Sequence, residues 1–277
     1  MAAVKGMPPA VATAAATIAG NAARPFRIGL GARATALAVL IYTFYAASTL
    51  DFTFARFHTG LGNAAHFLGR MIPPNFERWD ILVQGLVESM EIAVLASALG
   101  ILISLPIGLC GARNLMPAWA TWPARGLIAV CRSLHPVIMA ILFVKAVGFG
   151  ALAGILALVV ASVGFIGKLF ADAIEEISPK QVEAVRATGA SFANVLTFGV
   201  LPQVLARFVG FSTYQLDSNL RNSTMVGIVG AGGIGGTLFS AFQRFDYDFV
   251  CAILITIIAM IMVGEVLSNY VKKVLHV

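Results

Sequence analysis

The residues best equipped to meet a polar or charged ligand lie in one run. It reads Tyr214-Gln215-Leu216-Asp217-Ser218-Asn219-Leu220-Arg221-Asn222-Ser223-Thr224-Met225-Val226-Gly227. Asp217 and Arg221 are four residues apart, so on a helix they share a face and can pair as ions. Thr213, Gln215, Ser218, Asn219, Asn222, Ser223 and Thr224 add hydrogen-bonding groups around them. Two roles fit this chemistry. One is the lining of a path for a polar or anionic solute, carried by Asp217, Asn219, Arg221, Ser223 and Thr224. The other is a structural ion pair at a membrane interface. A glycine run follows at once, Gly227-Ile228-Val229-Gly230-Ala231-Gly232-Gly233-Ile234-Gly235-Gly236. Gly230, Gly232 and Gly235 make a formal G-x-G-x-x-G. That motif binds dinucleotides only inside a soluble βαβ unit with an acidic residue about 20 positions on, and apolar spans surround it here. Gly230, Gly232, Gly233 and Gly235 instead predict a broken or re-entrant helix, with freedom to act as a gate.

Other chemistries find no support in the sequence. There is no Ser-His-Asp order, no His-Glu-x-x-His and no Gly-x-Ser-x-Gly, so neither catalytic residues nor a metal site are expected. No Gly-x-x-x-x-Gly-Lys-Ser/Thr loop is present, so ATP is not expected to bind this chain, nor any other cofactor. Cys110, Cys131 and Cys251 are widely spaced in or beside apolar runs and suit buried apolar positions. His135 precedes Pro136 without a second ligand in register, which predicts a packing or cavity-lining histidine inside a helix. Lys145 suits a snorkelling position, and Glu88 and Glu91 suit interface solvation.

The elements that must position these residues are set by composition. Of 277 residues, 59% are hydrophobic and 12% charged, and the mean hydropathy is +0.88. Soluble domains carry about 25% charged residues, so this chain has too little polar surface for a water-soluble fold. The net charge of +6 sits in clusters between apolar segments, without the continuous basic face of a nucleic-acid binder. A span needs about 20 apolar residues. Six candidates meet that length, near 29–50, 83–109 (interrupted by Pro106), 126–147, 150–171, 204–228 and 249–270. The expected fold is therefore all-α, a polytopic membrane protein with about six transmembrane helices and no internal repeat.

Charge placement orients these spans. Lys5, Arg24, Arg27 and Arg33 precede or open the first span, and basic flanks favour the cytoplasm. Residues 1–27 are thus expected to be a cytoplasmic tail, 28–50 the first transmembrane helix, 51–80 a periplasmic loop and 81–277 the core domain. Arg113 and Arg125 place 110–125 inside. The loop 172–203 is then inside, 229–248 is outside, and Lys272 and Lys273 put the C-terminus inside with the N-terminus.

The inner loop after the fourth span carries start and stop signals. Ser178 is a helix N-cap, Pro179 suits the first helical position, and Gln181 can close a capping box. Gly189 is placed to end that helix in a left-handed conformation. Ser191 can cap a second short helix over about 192–199, ahead of Pro202. So two short helices with an elbow at Gly189 are expected. Alone in water such helices would not persist; the rest of the bundle or a partner must cover them.

Glu183-Ala184-Val185, then Gly189, then Leu201-Pro202 resembles the "EAA" loop of bacterial ABC-importer permeases. That pattern is Glu-Ala-Ala, three residues, Gly, nine residues, Ile, any residue, Leu-Pro. The spacing is intact here, with Val185 in place of the second Ala and Gly199 in place of the Ile. Asn219-x-Arg221-x-Ser223-Thr224 with the glycine run is similar to the phosphonate branch of those permeases. So are Glu88-Ser89-Met90-Glu91-Ile92-Ala93, Leu105-Pro106-Ile107-Gly108-Leu109 with Ala112-Arg113-Asn114, and Arg132-Ser133-Leu134-His135-Pro136. The likeness covers roughly 80–270.

The resemblance implies a type I importer permease working by alternating access in the bacterial inner membrane. Its solute would be a phosphonate, phosphite or hypophosphite. It implies a coupling helix in the loop 178–202, with Glu183, Ala184, Arg186, Gly189, Leu201 and Pro202 at or beside the contact with an ATPase. The implied partners are two ATPase subunits that carry ATP and Mg, a second permease subunit (a second copy in preference to a paralogue) and a periplasmic or lipid-anchored binding protein. A permease for another small solute and an ion-coupled secondary transporter are the alternatives, with an intramembrane enzyme behind them. The coupling-type loop argues against the secondary transporter, and the missing catalytic constellation against the enzyme.

Overall fold

The computed structural model describes residues 29–50 and 53–274, and the expected cytoplasmic tail at 1–27 lies outside the described residues. Ten helices account for nearly all of what is described. They are α1 (Leu30–Thr49), α2 (Phe54–Arg70), α3 (Trp79–Gly111), α4 (Ala118–Ser133) and α5 (Pro136–Val147), then α6 (Ala151–Glu175), α7 (Pro179–Ala187), α8 (Leu201–Ile228), α9 (Ile234–Gln243) and α10 (Tyr247–Val274). A turn of α-helix at Phe192–Asn194 and a π-helical segment at Val195–Val200 lead into α8. Two compact units divide the chain, Met1–Ala65 and His66–Val277. In the first, α1 is a 20-residue apolar helix with no buried residue. The expected loop 51–80 instead contains α2. Phe54, Phe57, Leu61 and Leu68 recur at helical spacing there, a periodicity that a count of charges alone overlooks.

The second unit is built on the pair α3 and α6. Their facing stripes are small. Ala93, Ala96, Ser97, Gly100, Ser104 and Gly108 are buried on α3, and Ala157, Ser162, Gly164, Gly167 and Ala171 are buried on α6. Between membrane helices there is no hydrophobic gain from leaving lipid, so close backbone approach and dispersion hold the pair. At Gly100 the approach is close enough that a Cβ would lie 2.4 Å from Ser162 Cβ. Pro106 does not interrupt α3, which runs 33 residues through it. At 1.5 Å per residue α3 is about 50 Å long, more than the roughly 30 Å hydrocarbon core.

Among the described residues, five helices are long and apolar enough to span, or six with the bent pair α4–α5 taken as one. That pair corrects the expected straight span at 126–147. It starts earlier, at Ala118, and turns by 92° between Ser133 and Pro136. Proline disfavours helical geometry in the residue before it, and His135 is extended at φ −70° and ψ 140°. Its Nδ1 accepts the Val137 N–H at 3.3 Å, so this exposed histidine is the cap of α5 and not a packing residue within a helix.

Candidate functional site

Two regions hold the residues singled out by sequence, the loop around α7 and the polar helix α8 with the turn that follows. Ser178 occupies the cap position of α7, but its hydroxyl makes no capping bond. The capping box with Gln181 does not form. Gln203 does that work from the start of α8: its Oε1 accepts the Ser178 N–H at 3.0 Å, and its Nε2 donates to the Gly199 carbonyl at 2.6 Å. Gly189 has φ +75°, the left-handed geometry that suits glycine at a helix end. The second short helix expected at 192–199 is continuous with α8 through the π-helical segment, so the elbow joins α7 to the long helix itself. Pro202 carries no N–H, and just before it the Leu201 N–H reaches the carbonyl of Leu196.

Only Val182 of α7 is buried, packed in a cluster with Phe170, Ile174, Val195, Val200 and Val204. Glu183, Ala184, Arg186, Gly189, Leu201 and Pro202 are exposed. The two departures from the family pattern meet each other here. A Cβ on Gly199 would stand 3.7 Å from Val185 Cγ2 and 3.5 Å from the Val182 backbone. A larger residue at 185 faces a smaller one at 199.

The base of the loop is clamped by polar contacts that sequence reasoning did not single out. Glu175, at the end of α6, accepts the Arg113 N–H at 2.7 Å and pairs with Arg125 at 2.6 Å. Asn114 Nδ2 donates to the Ile174 carbonyl at 2.7 Å, and Arg207 pairs with Glu176 at 2.6 Å. Opposite charges tens of residues apart left no local spacing by which to match them.

Along α8 the polar residues divide by face. Gln215 and Asn219 are buried and join four side chains from three helices. Asn219 Nδ2 donates to Ser97 Oγ of α3 at 2.9 Å and to Ser162 Oγ of α6 at 3.0 Å. Gln215 Nε2 donates to Ser162 Oγ at 2.9 Å and to Asn219 Oδ1 at 3.0 Å. Ser223 is also buried and donates to the Leu220 carbonyl at 2.8 Å, and Thr224 is 8% exposed. Asp217 and Arg221 lie on another face and pair with each other. Arg221 is 47% exposed and Asp217 13%. Asp217 Oδ1 and Ser212 Oγ are buried without a partner, and both residues line a cavity of about 420 Å³ with α3 and α10. So the five expected path residues are not brought together: Asn219 and Ser223 face the bundle of their own chain, and Arg221 faces out of it.

The glycine run forms the turn that breaks α8 from α9. Gly230, Gly232 and Gly233 have positive φ. The Ala231 N–H returns to the Val226 carbonyl at 3.2 Å, and Ser89 Oγ accepts the Ile234 N–H at 2.8 Å. A Cβ on Gly235 would lie 2.0 Å from the Thr224 carbonyl oxygen, so α9 packs back against the end of α8. With 10 residues, α9 is too short to cross a bilayer. Among the described residues no group of three His, Cys, Asp or Glu side chains could hold a metal ion.

Residues 100–276 match the family described as the inner membrane component of binding-protein-dependent transport systems. The chain belongs to that family. It is a multi-pass transport permease subunit with the type I ABC importer fold. The phosphate-import permease protein PhnE of Mycolicibacterium smegmatis is 43% identical over 74% of this permease, which in turn spans 39% of the mycobacterial protein. The phosphite transport system permease protein PtxC of Stutzerimonas stutzeri is 40% identical, with 77% of this permease matched to 78% of that protein. Among solved structures, the inward-facing MetNI methionine ABC transporter gives a TM-score of 0.64 at 23% identity, covering 73% of this chain and 99% of the matched one. That likeness concerns the fold.

Proposed function

We propose that this permease forms the membrane path of an ATP-driven importer for a phosphorus oxyanion, such as a phosphonate, phosphite or hypophosphite. The observation that carries this reading is Arg221. It is a half-exposed guanidinium on a spanning helix, paired with Asp217 through one of its nitrogens in a chain similar to permeases named for phosphate and phosphite. A guanidinium has five donors in a fixed fork suited to oxyanions, so donors remain for a passing anion. Charged groups at membrane depth commonly face a water-filled path.

In the proposed assembly two copies of the chain enclose the path in a bacterial inner membrane. Two ATPase subunits, which carry ATP and Mg, dock on the exposed face of α7 through Glu183, Ala184 and Arg186. Both termini are cytoplasmic, and a periplasmic or lipid-anchored binding protein delivers the anion. Because α7 is joined to α8 through Gly189 and a continuous helix, movement of α7 on ATP closure moves the helix that carries Arg221.

Arg221→Ala tests the reading in the assembled complex in proteoliposomes. A hydrogen bond to a charged group contributes about 1.5–3 kcal/mol, so uptake of phosphite should fall about 10–100-fold while ATPase subunits still copurify. Arg221→Lys should retain part of the activity. Unchanged uptake in an assembled Arg221→Ala complex would remove Arg221 from the path.

A further inference from the structure

The region between α3 and α4 carries a second basic feature that solute transport does not use. Arg113, Thr121, Trp122, Arg125 and Gly126 line a basin of about 460 Å³. Its depth in the membrane is set by the helices around it. Arg125 Nε donates to the Gly111 carbonyl at 2.8 Å, at the end of α3, and Arg125 also pairs with Glu175, at the end of α6. The basin therefore lies level with the ends of two spanning helices, and helices longer than the roughly 30 Å hydrocarbon core carry their ends into the headgroup region. Trp119 and Trp122, 79% and 80% exposed, stand on α4 beside it, as aromatic residues do at that level.

The charges leave one arginine available. Glu175 is engaged by Arg125 and by the Arg113 backbone N–H, Asp172 by Lys168, and Glu176 by Arg207. Among the described residues no carboxylate pairs with the Arg113 guanidinium. A free guanidinium with a second one beside it, a hydroxyl and an indole make a phosphate site with an apolar rim. We propose that this basin holds the phosphate of an anionic phospholipid, with Arg113 as its main contact and Trp122 against the glycerol and upper acyl chain. The site adjoins the coupling loop, because the same Arg125 that forms its wall holds Glu175, three residues before Ser178. An occupied basin thus steadies the base of α7.

Three tryptophans are present, Trp79, Trp119 and Trp122, so a Trp79→Phe/Trp119→Phe chain reports on Trp122 alone. The full chain is reconstituted in phosphatidylcholine bilayers containing a minor, equal fraction of brominated phosphatidylglycerol or brominated phosphatidylcholine. One arginine at an anionic surface corresponds to about five-fold enrichment of the charged lipid, so quenching of Trp122 should be clearly deeper with the brominated anionic lipid. Arg113→Gln should remove the excess and Arg113→Lys keep most of it. Equal quenching by the two lipids overturns the proposal without recourse to any Arg113 variant. Relief of the excess by millimolar inorganic phosphate at constant ionic strength also overturns it, since the site would then be one for the free anion.

Discussion

The two faces of α8 use similar residues for opposite ends. On one face Gln215 and Asn219 spend their donors inside the chain, on Ser97 and Ser162. On the other, Asp217 and Arg221 have only each other, and Arg221 is half exposed. Interhelical hydrogen bonds in membranes are worth about 0.6 kcal/mol on average and up to about 1.7, so the buried cluster is a modest tie that fixes how α8 sits on α3 and α6. An ion pair that leaves guanidinium donors free is a poor tie and a usable anion contact. Polarity in a span does not by itself mark a path; the number of donors left over does.

Steric change on the closed side should therefore destroy the fold, while charge change on the open side should leave it standing. The largest effect is expected at Gly235. Its Cβ would fall 2.0 Å from the Thr224 carbonyl, a backbone atom that cannot swing aside. Gly235→Val should yield no monodisperse protein on size exclusion in detergent, whereas Arg221→Ala should elute as the parent does. A well-behaved Gly235→Val chain would mean that the turn is looser than its packing indicates.

Asn219 sharpens the same division with a smaller effect. Asn219→Ala removes one contact each from Ser97 and Ser162, whose hydroxyls keep the Ala93 carbonyl and Gln215 as partners, and strands one donor of Gln215. The cost should be about 1–2 kcal/mol, seen as a thermal midpoint lowered by several degrees in detergent. If instead uptake collapsed with no loss of stability, Asn219 would belong to the path and the division of α8 by face would fail.

Much of this organisation was legible in the sequence. Hydropathy located the spans, because lipid admits few structures other than apolar helices. Gly189 was legible as a helix end because few other residues adopt its conformation. The run Asp217–Thr224 was legible as unusual, but its division was not. Four-residue spacing shows that Asp217 and Arg221 share a face; it cannot show that Asn219 meets Ser97, 122 residues away. The bend at His135 had a local cause in Pro136 and could have been read. The clamp of Glu175 by Arg113, Asn114's neighbourhood and Arg125 had none, since surface charges of either sign are common and only the fold selects the pair.

Gly189 carries the division from α8 to the loop that is proposed to drive it. A Cβ there meets nothing within 4 Å, so the obstacle to substitution is φ +75° alone. For an L-residue that conformation costs about 1–2 kcal/mol. In Gly189→Ala the bundle should keep its thermal midpoint, while the elbow relaxes and α7 loses its fixed presentation. ATPase subunits should then dock about ten-fold more weakly, measured by titrating them onto the immobilised permease. Unchanged docking would separate α7 from the ATPase contact.

The smallest effect is expected where Val185 faces Gly199. Val185→Ala alone opens a small gap on the half-buried side of α7, at a cost of about 1 kcal/mol. Gly199→Ile alone drives its branches into Val185, whose Cγ2 would already stand 3.7 Å from the new Cβ. Together the two changes restore the Ala and Ile of the family pattern and exchange volume across one contact. The double variant should be more stable than the sum of the single losses, with a coupling energy of about 1 kcal/mol. Additive losses would mean that the two positions do not share a contact, and that the sequence departs from the pattern at two unrelated places. A positive coupling would show α7 held against the π-helical segment by side-chain volume, which leaves its outer face free of any structural duty within the chain.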